Sequence, residues 1–102
     1  MKLGTTPTHV FELSCNIEVL SNVKITYVQN GRIILAKHLR DCEIDLSKNT
    51  LTVVLTQEET FMFTSDEVVE IQLRALSLDG DAVASDIYTV SVARCLDNEV
   101  LV

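Results

Sequence analysis

The chain has 102 residues and a formal net charge of −7, from 15 acidic and 8 basic side chains, with one proline, three glycines and no tryptophan. A chain of this length makes one domain, residues 1–102, which buries about 60 to 65% of its unfolded surface, enough for one core and not for an interdomain active-site cleft. The acid excess repels phosphate backbones and anionic lipid, so nucleic acid and membrane are excluded as expected partners, and no apolar run approaches a membrane span.

Valine, isoleucine and threonine number 13, 7 and 10, and their stiff side chains suit a pleated surface better than a helix. The segment Met1–Pro7 carries one charge and no apolar stretch, so no signal peptide is expected and the chain is expected to fold in a cytoplasm. Thr8–Leu13 follows a proline that a central strand would not tolerate, and reads as an edge strand. Asn30-Gly31, between Val23–Val28 and Arg32–Lys37, supplies the two positive φ angles of a type I′ hairpin. A two-residue loop pairs Tyr27 with Ile34 and Ile25 with Ala36, and places Val23, Ile25, Tyr27, Ile34 and Ala36 on the core face.

Cys42–Leu46 reads as a short strand, Ser47–Asn49 as a turn, and Thr50–Thr56 as a half-buried strand in which Leu51, Val53 and Leu55 alternate with threonine. Residues 56–60 have the chemistry of one short helical turn, with Thr56 as N-cap and Glu59 at the third position. Phe61 and Phe63 follow to plug the end of the core. In Val69–Leu76 the alternation of Val69, Ile71, Leu73 and Ala75 with polar residues has the period of an antiparallel strand. Asp79-Gly80 turns the chain into Ala82–Val92, where Val90 and Val92 join the core. Strict pairing across that turn sets Ile71 opposite Tyr88 but aims Asp86 at Leu73, which calls for a bulge or a longer loop. About seven strands, short polar turns and no long helix together predict an all-β, antiparallel β-sandwich of immunoglobulin-like type, without the cysteines and tryptophan that pin antibody domains.

Chemistry-bearing constellations are sparse. Cys15, Cys42 and Cys95 are too far apart for a CxxC pair and read as buried or half-buried thiols acting as small hydrophobes. His9 and His38 fall on different strands, and read as solvated or strand-end imidazoles. The trio Cys42, His38 and Asp41 is one that any chain containing these residue types can assemble and carries no weight, and Glu58 and Glu59 are adjacent, read as capping a turn, and not in facing positions. Glycines 4, 31 and 80 stand alone, so no phosphate-cradling loop exists. Asp79, Asp81 and Asp86 are the one candidate cation group, without the ligand alternation of an EF-hand. No enzyme activity, cofactor, tightly bound metal or small-molecule substrate is expected.

The threonine-rich entry Gly4-Thr5-Thr6-Pro7-Thr8-His9-Val10-Phe11, the central Leu55-Thr56-Gln57-Glu58-Glu59-Thr60 and the closing Ala84-Ser85-Asp86-Ile87-Tyr88-Thr89-Val90-Ser91-Val92 together resemble small tail proteins of siphophages and prophages. Over its whole length the chain is similar to the immunoglobulin-like N-terminal domain of phage upper baseplate proteins. In that family a helical linker and a receptor-binding module follow, whereas this sequence ends at Val102. The resemblance therefore implies a non-enzymatic structural or adaptor protein, assembled in the bacterial cytoplasm into the virion tail, with other tail or baseplate proteins and its own copies as partners. The alternative is a small carbohydrate- or calcium-binding module. The expected interaction residues are Val10 and Phe11, on an edge strand with Glu12 as its only charge, and the apolar end Val100, Leu101 and Val102, for which packing back onto the sandwich is the alternative and the commoner fate of a chain terminus.

Overall fold

A computed structural model describes all 102 residues. Eight strands form two antiparallel sheets: β1 (Thr8–Glu12), β2 (Leu20–Gln29), β3 (Arg32–His38), β4 (Glu43–Asp45), β5 (Thr50–Val54), β6 (Val69–Ser77), β7 (Ala82–Ala84) and β8 (Tyr88–Val90), with a single turn of helix, α1 (Gln57–Thr60), after β5. The smaller sheet has the order β1-β5-β4; the larger runs β3-β2-β6, with β7 and β8 both on the outer side of β6. The expected all-β sandwich is therefore the fold, with one strand more than the alternation suggests because the last strand is broken in two.

The core lies between the long pair β2–β6 and β5. Register places Val23 opposite Ala75, Ile25 opposite Leu73 and Tyr27 opposite Ile71. All six are buried, together with Leu51, Val53, Leu55, Phe63, Val69 and Val92. The period-2 reading found most of this set. It missed Leu3, Ile17 and Leu20, which lie in segments with no alternation to betray them, and it over-assigned Ile34 and Val90, which are half-buried at the edges.

Both hairpins turn where expected; the register of the first is corrected, while the second keeps the expected pairs Ile71–Tyr88 and Val69–Val90. At the first, Asn30 and Gly31 take positive φ (51° and 73°), and Gln29 pairs with Arg32. A bulge then slips the ladder, so that Tyr27 faces Leu35 and Ile25 faces Lys37. Ala36 consequently faces Thr26, not Ile25. The slip turns Lys37 onto the inner face of an edge strand, where an unpaired ammonium would be costly; the Glu59 carboxylate of α1 pairs with it. At the second hairpin Ser77 N–H donates to Asp81 C=O at 2.8 Å and Gly80 has φ 90°, which makes a three-residue loop, Leu78–Gly80, in place of a two-residue turn. The anticipated bulge follows: β7 pairs Arg74 with Ala84, and one residue of slip later β8 pairs Ile71 with Tyr88.

The α1 cap has the expected chemistry. Glu59 N–H donates to Thr56 Oγ1 at 3.1 Å and Thr56 N–H donates to Glu59 Oε1 at 2.9 Å. Beside it, Gly4 has φ 76°, and a Cβ there would meet the Phe61 ring at 2.7 Å, so the crossing of the N-terminal segment over Phe61 needs glycine.

Truncating Ile25, fully buried between the sheets, to alanine should lower stability by about 2 to 5 kcal/mol through lost burial and a cavity, read as a lower denaturant midpoint. Val10→Ala, on the outer face, should stay within about 0.5 kcal/mol of the parent chain.

Candidate interaction groove

The two sheets are unequal in width. On one side the short turn Leu39–Asp41 carries the chain from β3 directly into β4, closing the sandwich. On the other side the small sheet stops at β1, while the large sheet continues past β6 into β7 and β8. Antiparallel partners share a face, so Tyr88, opposite Ile71, and Val83, opposite Ala75, point to the inner side. They are nevertheless 53% and 54% exposed, because no strand of the small sheet lies over them.

This leaves a groove of about 600 Å³ between β1 and β8, floored by Ile71 and Leu73 and walled by Ser85 and Tyr88. Its near wall includes Val10 and Glu12 as well as Phe11 and Leu13. Side chains of both parities line one groove only when it runs along a strand's edge. It continues past Leu13 and Cys15 toward Val83 and Asp86.

The β1 edge beside the groove carries unused backbone groups. Leu55 N–H donates to Pro7 C=O at 3.0 Å and Leu13 N–H donates to Asn49 C=O at 3.1 Å. In an antiparallel ladder these bonds recur at every second residue, so His9 and Phe11 bond with β5. The N–H and C=O groups of Thr8, Val10 and Glu12 then point away from β5, where β1 has no neighbouring strand.

Of the expected interaction residues, Val10 and Phe11 thus sit together on the groove, with Val10 59% exposed and Phe11 half-buried against the core. Val100, Leu101 and Val102 lie elsewhere, against α1. The Gln57 side-chain amide donates to Leu101 C=O at 3.0 Å and accepts from Leu101 N–H at 2.9 Å. Val100 is half-buried and lines a shallow pocket with Leu3, Phe61 and Phe63, while the Leu101 and Val102 side chains, like that of Leu96, are exposed. Tyr88, Leu13 and Ser85 were missed as groove residues. The Ile71–Tyr88 register was readable in the sequence; the lack of a covering strand was not.

The trio and the aspartates singled out in the sequence lie at local turns. Cys42 Sγ contacts His38 C=O at 3.3 Å, and Asp41 accepts from His38 N–H at 2.9 Å, so the trio is a local turn closed through the backbone. Burial pushes the Cys42 thiol above its ordinary pKa, with the Asp41 charge adding to it, the reverse of an activated nucleophile. Asp79 and Asp81 lie at the tip of the second hairpin and Asp86 in the bulge beyond β7; no three metal-ligating side chains converge anywhere in the chain. All three cysteines are free and half-buried.

His9, expected as a solvated or strand-end imidazole, lies near the start of β1 but is half-buried and bonded across the sandwich. Its Nδ1 shares a 2.7 Å hydrogen bond with Oη of the buried Tyr27, joining the two sheets. Burial lowers the His9 pKa, and the positive N-terminus adds to the effect; burial raises that of Tyr27. Both groups are therefore neutral at pH 7. No protein-family model matches the chain, and no curated protein matches it.

Acidification should expose this arrangement. The unfolded histidine takes a proton near its ordinary pKa of 6.5 while the folded one resists, so stability should fall as the pH drops through that value. Denaturant midpoints measured from pH 7 to about pH 5.5 should decline in the parent chain and stay flatter in His9→Gln.

Proposed function

We propose that this protein is a non-enzymatic assembly component that joins other proteins through a sheet edge. The observation that carries the reading is the unpaired β1 edge beside an inner face the small sheet leaves uncovered. A row of backbone donors and acceptors beside buried-type side chains is the chemistry of strand pairing and offers little to a reacting substrate. The setting is a tail or baseplate of a phage or prophage. That part rests on the resemblance in Gly4–Phe11, Leu55–Thr60 and Ala84–Val92, and it brings with it the immunoglobulin-like relationship, the virion location and neighbouring tail subunits as partners. Leu101 and Val102, projecting beyond α1, offer a second apolar contact through which like or unlike subunits can meet.

Mixing the purified chain with the products of the flanking genes and resolving the mixtures by size-exclusion chromatography with light scattering tests this. A stable complex with at least one of them is the expected result. A chain that stays monomeric at high concentration and separate from every one of them overturns the reading.

A further inference from the structure

We propose that the groove along β1 is a strand-acceptor site, filled by an extended cationic segment of a partner protein as the missing fourth strand of the small sheet. The inference rests on the assembly reading and names how the contact is made and with what.

Three features select a strand. The N–H and C=O groups of Thr8, Val10 and Glu12 form a ladder edge about 17 Å long, a repeat that an extended backbone can match along its whole length. The floor and far wall, Ile71, Leu73 and Tyr88, face the side on which alternate residues of an added strand would point. The same open side is already sealed at one end by extended chain: residues 1–3 pair with residues 91–93, through Leu3 N–H to Ala93 C=O at 3.0 Å and Ala93 N–H to Met1 C=O at 2.8 Å. There Val92 is buried; beyond it, Tyr88 is not.

β1 is also the edge without protection. β3 is blunted by its bulge and by Lys37 turned inward, β4 has three residues of which two are acidic, and the β7–β8 edge is broken by a bulge. These are the devices by which sheet edges avoid pairing. β1 has none beyond Glu12.

Geometry and charge define the occupant. A second sandwich pairing its β1 with this one would bring its own wide sheet into the space held by β7 and β8, so the groove admits a single strand and rejects an edge-to-edge copy. The charged side chains along it are Glu12 and Asp86, with no lysine or arginine, in a chain of net charge −7. An inserted strand is therefore apolar at alternate positions and carries lysine or arginine at the others. The chain's own tail, with Asp97 and Glu99, has the wrong sign.

The test is titration of the full chain with a synthetic peptide of about eight residues alternating valine and lysine, beside a second peptide with glutamate for lysine. The first should bind and slow amide exchange at Thr8, Val10 and Glu12 while leaving His9 and Phe11 unchanged; the second should bind about tenfold more weakly or worse. Val10→Pro removes the central N–H on the free side without touching the β5 ladder, and should abolish binding in a folded chain. Should that variant fail to fold, Tyr88→Lys, at an exposed wall position, should weaken the valine–lysine peptide. Absence of binding, protection on another strand, equal binding of both peptides, or a parent chain already dimeric with protected β1 amides would each overturn the proposal. A flanking-gene partner that still binds Val10→Pro removes the groove mechanism and leaves the assembly reading intact; peptide binding with no such partner does the reverse.

Discussion

The long antiparallel pair β2–β6 is the constraint from which the rest of the structure follows. Its inner face carries Val23, Ile25 and Tyr27 against Ala75, Leu73 and Ile71, and these six side chains must be kept from water. β5 covers their centre with Leu51 and Val53. A chain of this size has little further sheet to spend on the cover, so the small sheet ends after three strands and its margins are completed by other means. Phe63 and the α1 turn close one end, and the Leu39–Asp41 turn closes the β3–β4 side. The β1 side is the part left open.

The ends of the sandwich are held by polar side chains that grip backbone. Buried Gln29 donates to Thr64 C=O and accepts from Thr64 N–H, both at 2.8 Å. Asn49 accepts from Ile17 N–H and donates to Leu13 C=O and Cys15 C=O, and Thr60 accepts from Gly4 N–H at 2.9 Å. Each clamp satisfies buried groups that would otherwise be costly, and no buried side-chain polar atom is left without a partner. Together they hold irregular segments in place, residues 13–17 against the core through Leu13, Cys15 and Ile17, and Thr64 at the end of β2.

Edge chemistry divides the surface in the same way. The β3 bulge that displaces Ala36 also turns Lys37 inward against Glu59, so a register error in one hairpin and a half-buried ion pair have a single cause. That ion pair ties the outermost strand of the large sheet to α1, which in turn clasps Leu101 through Gln57. The closed side of the molecule is thus cross-linked by charge and side-chain hydrogen bonds, while the open side presents backbone and apolar surface. A protein that assembles through strand pairing needs that asymmetry, because several equally open edges would favour indiscriminate aggregation.

Alternation of Val69, Ile71, Leu73 and Ala75, the Asn30-Gly31 turn, the Pro7-led edge strand and the Thr56–Glu59 cap were all legible in the sequence, because each depends on residues a few positions apart. The sandwich, most of its core and the location of Val10 and Phe11 on an edge followed from them. Only the tertiary structure decided the one-residue slip in the first hairpin, and showed that the second is resolved by a longer loop and a bulge together. It alone paired His9 with Tyr27 and Lys37 with Glu59, sent Val100–Val102 back onto α1, and left Tyr88 uncovered. Those outcomes depend on which strands of one sheet lie over which strands of the other, and no local period records that.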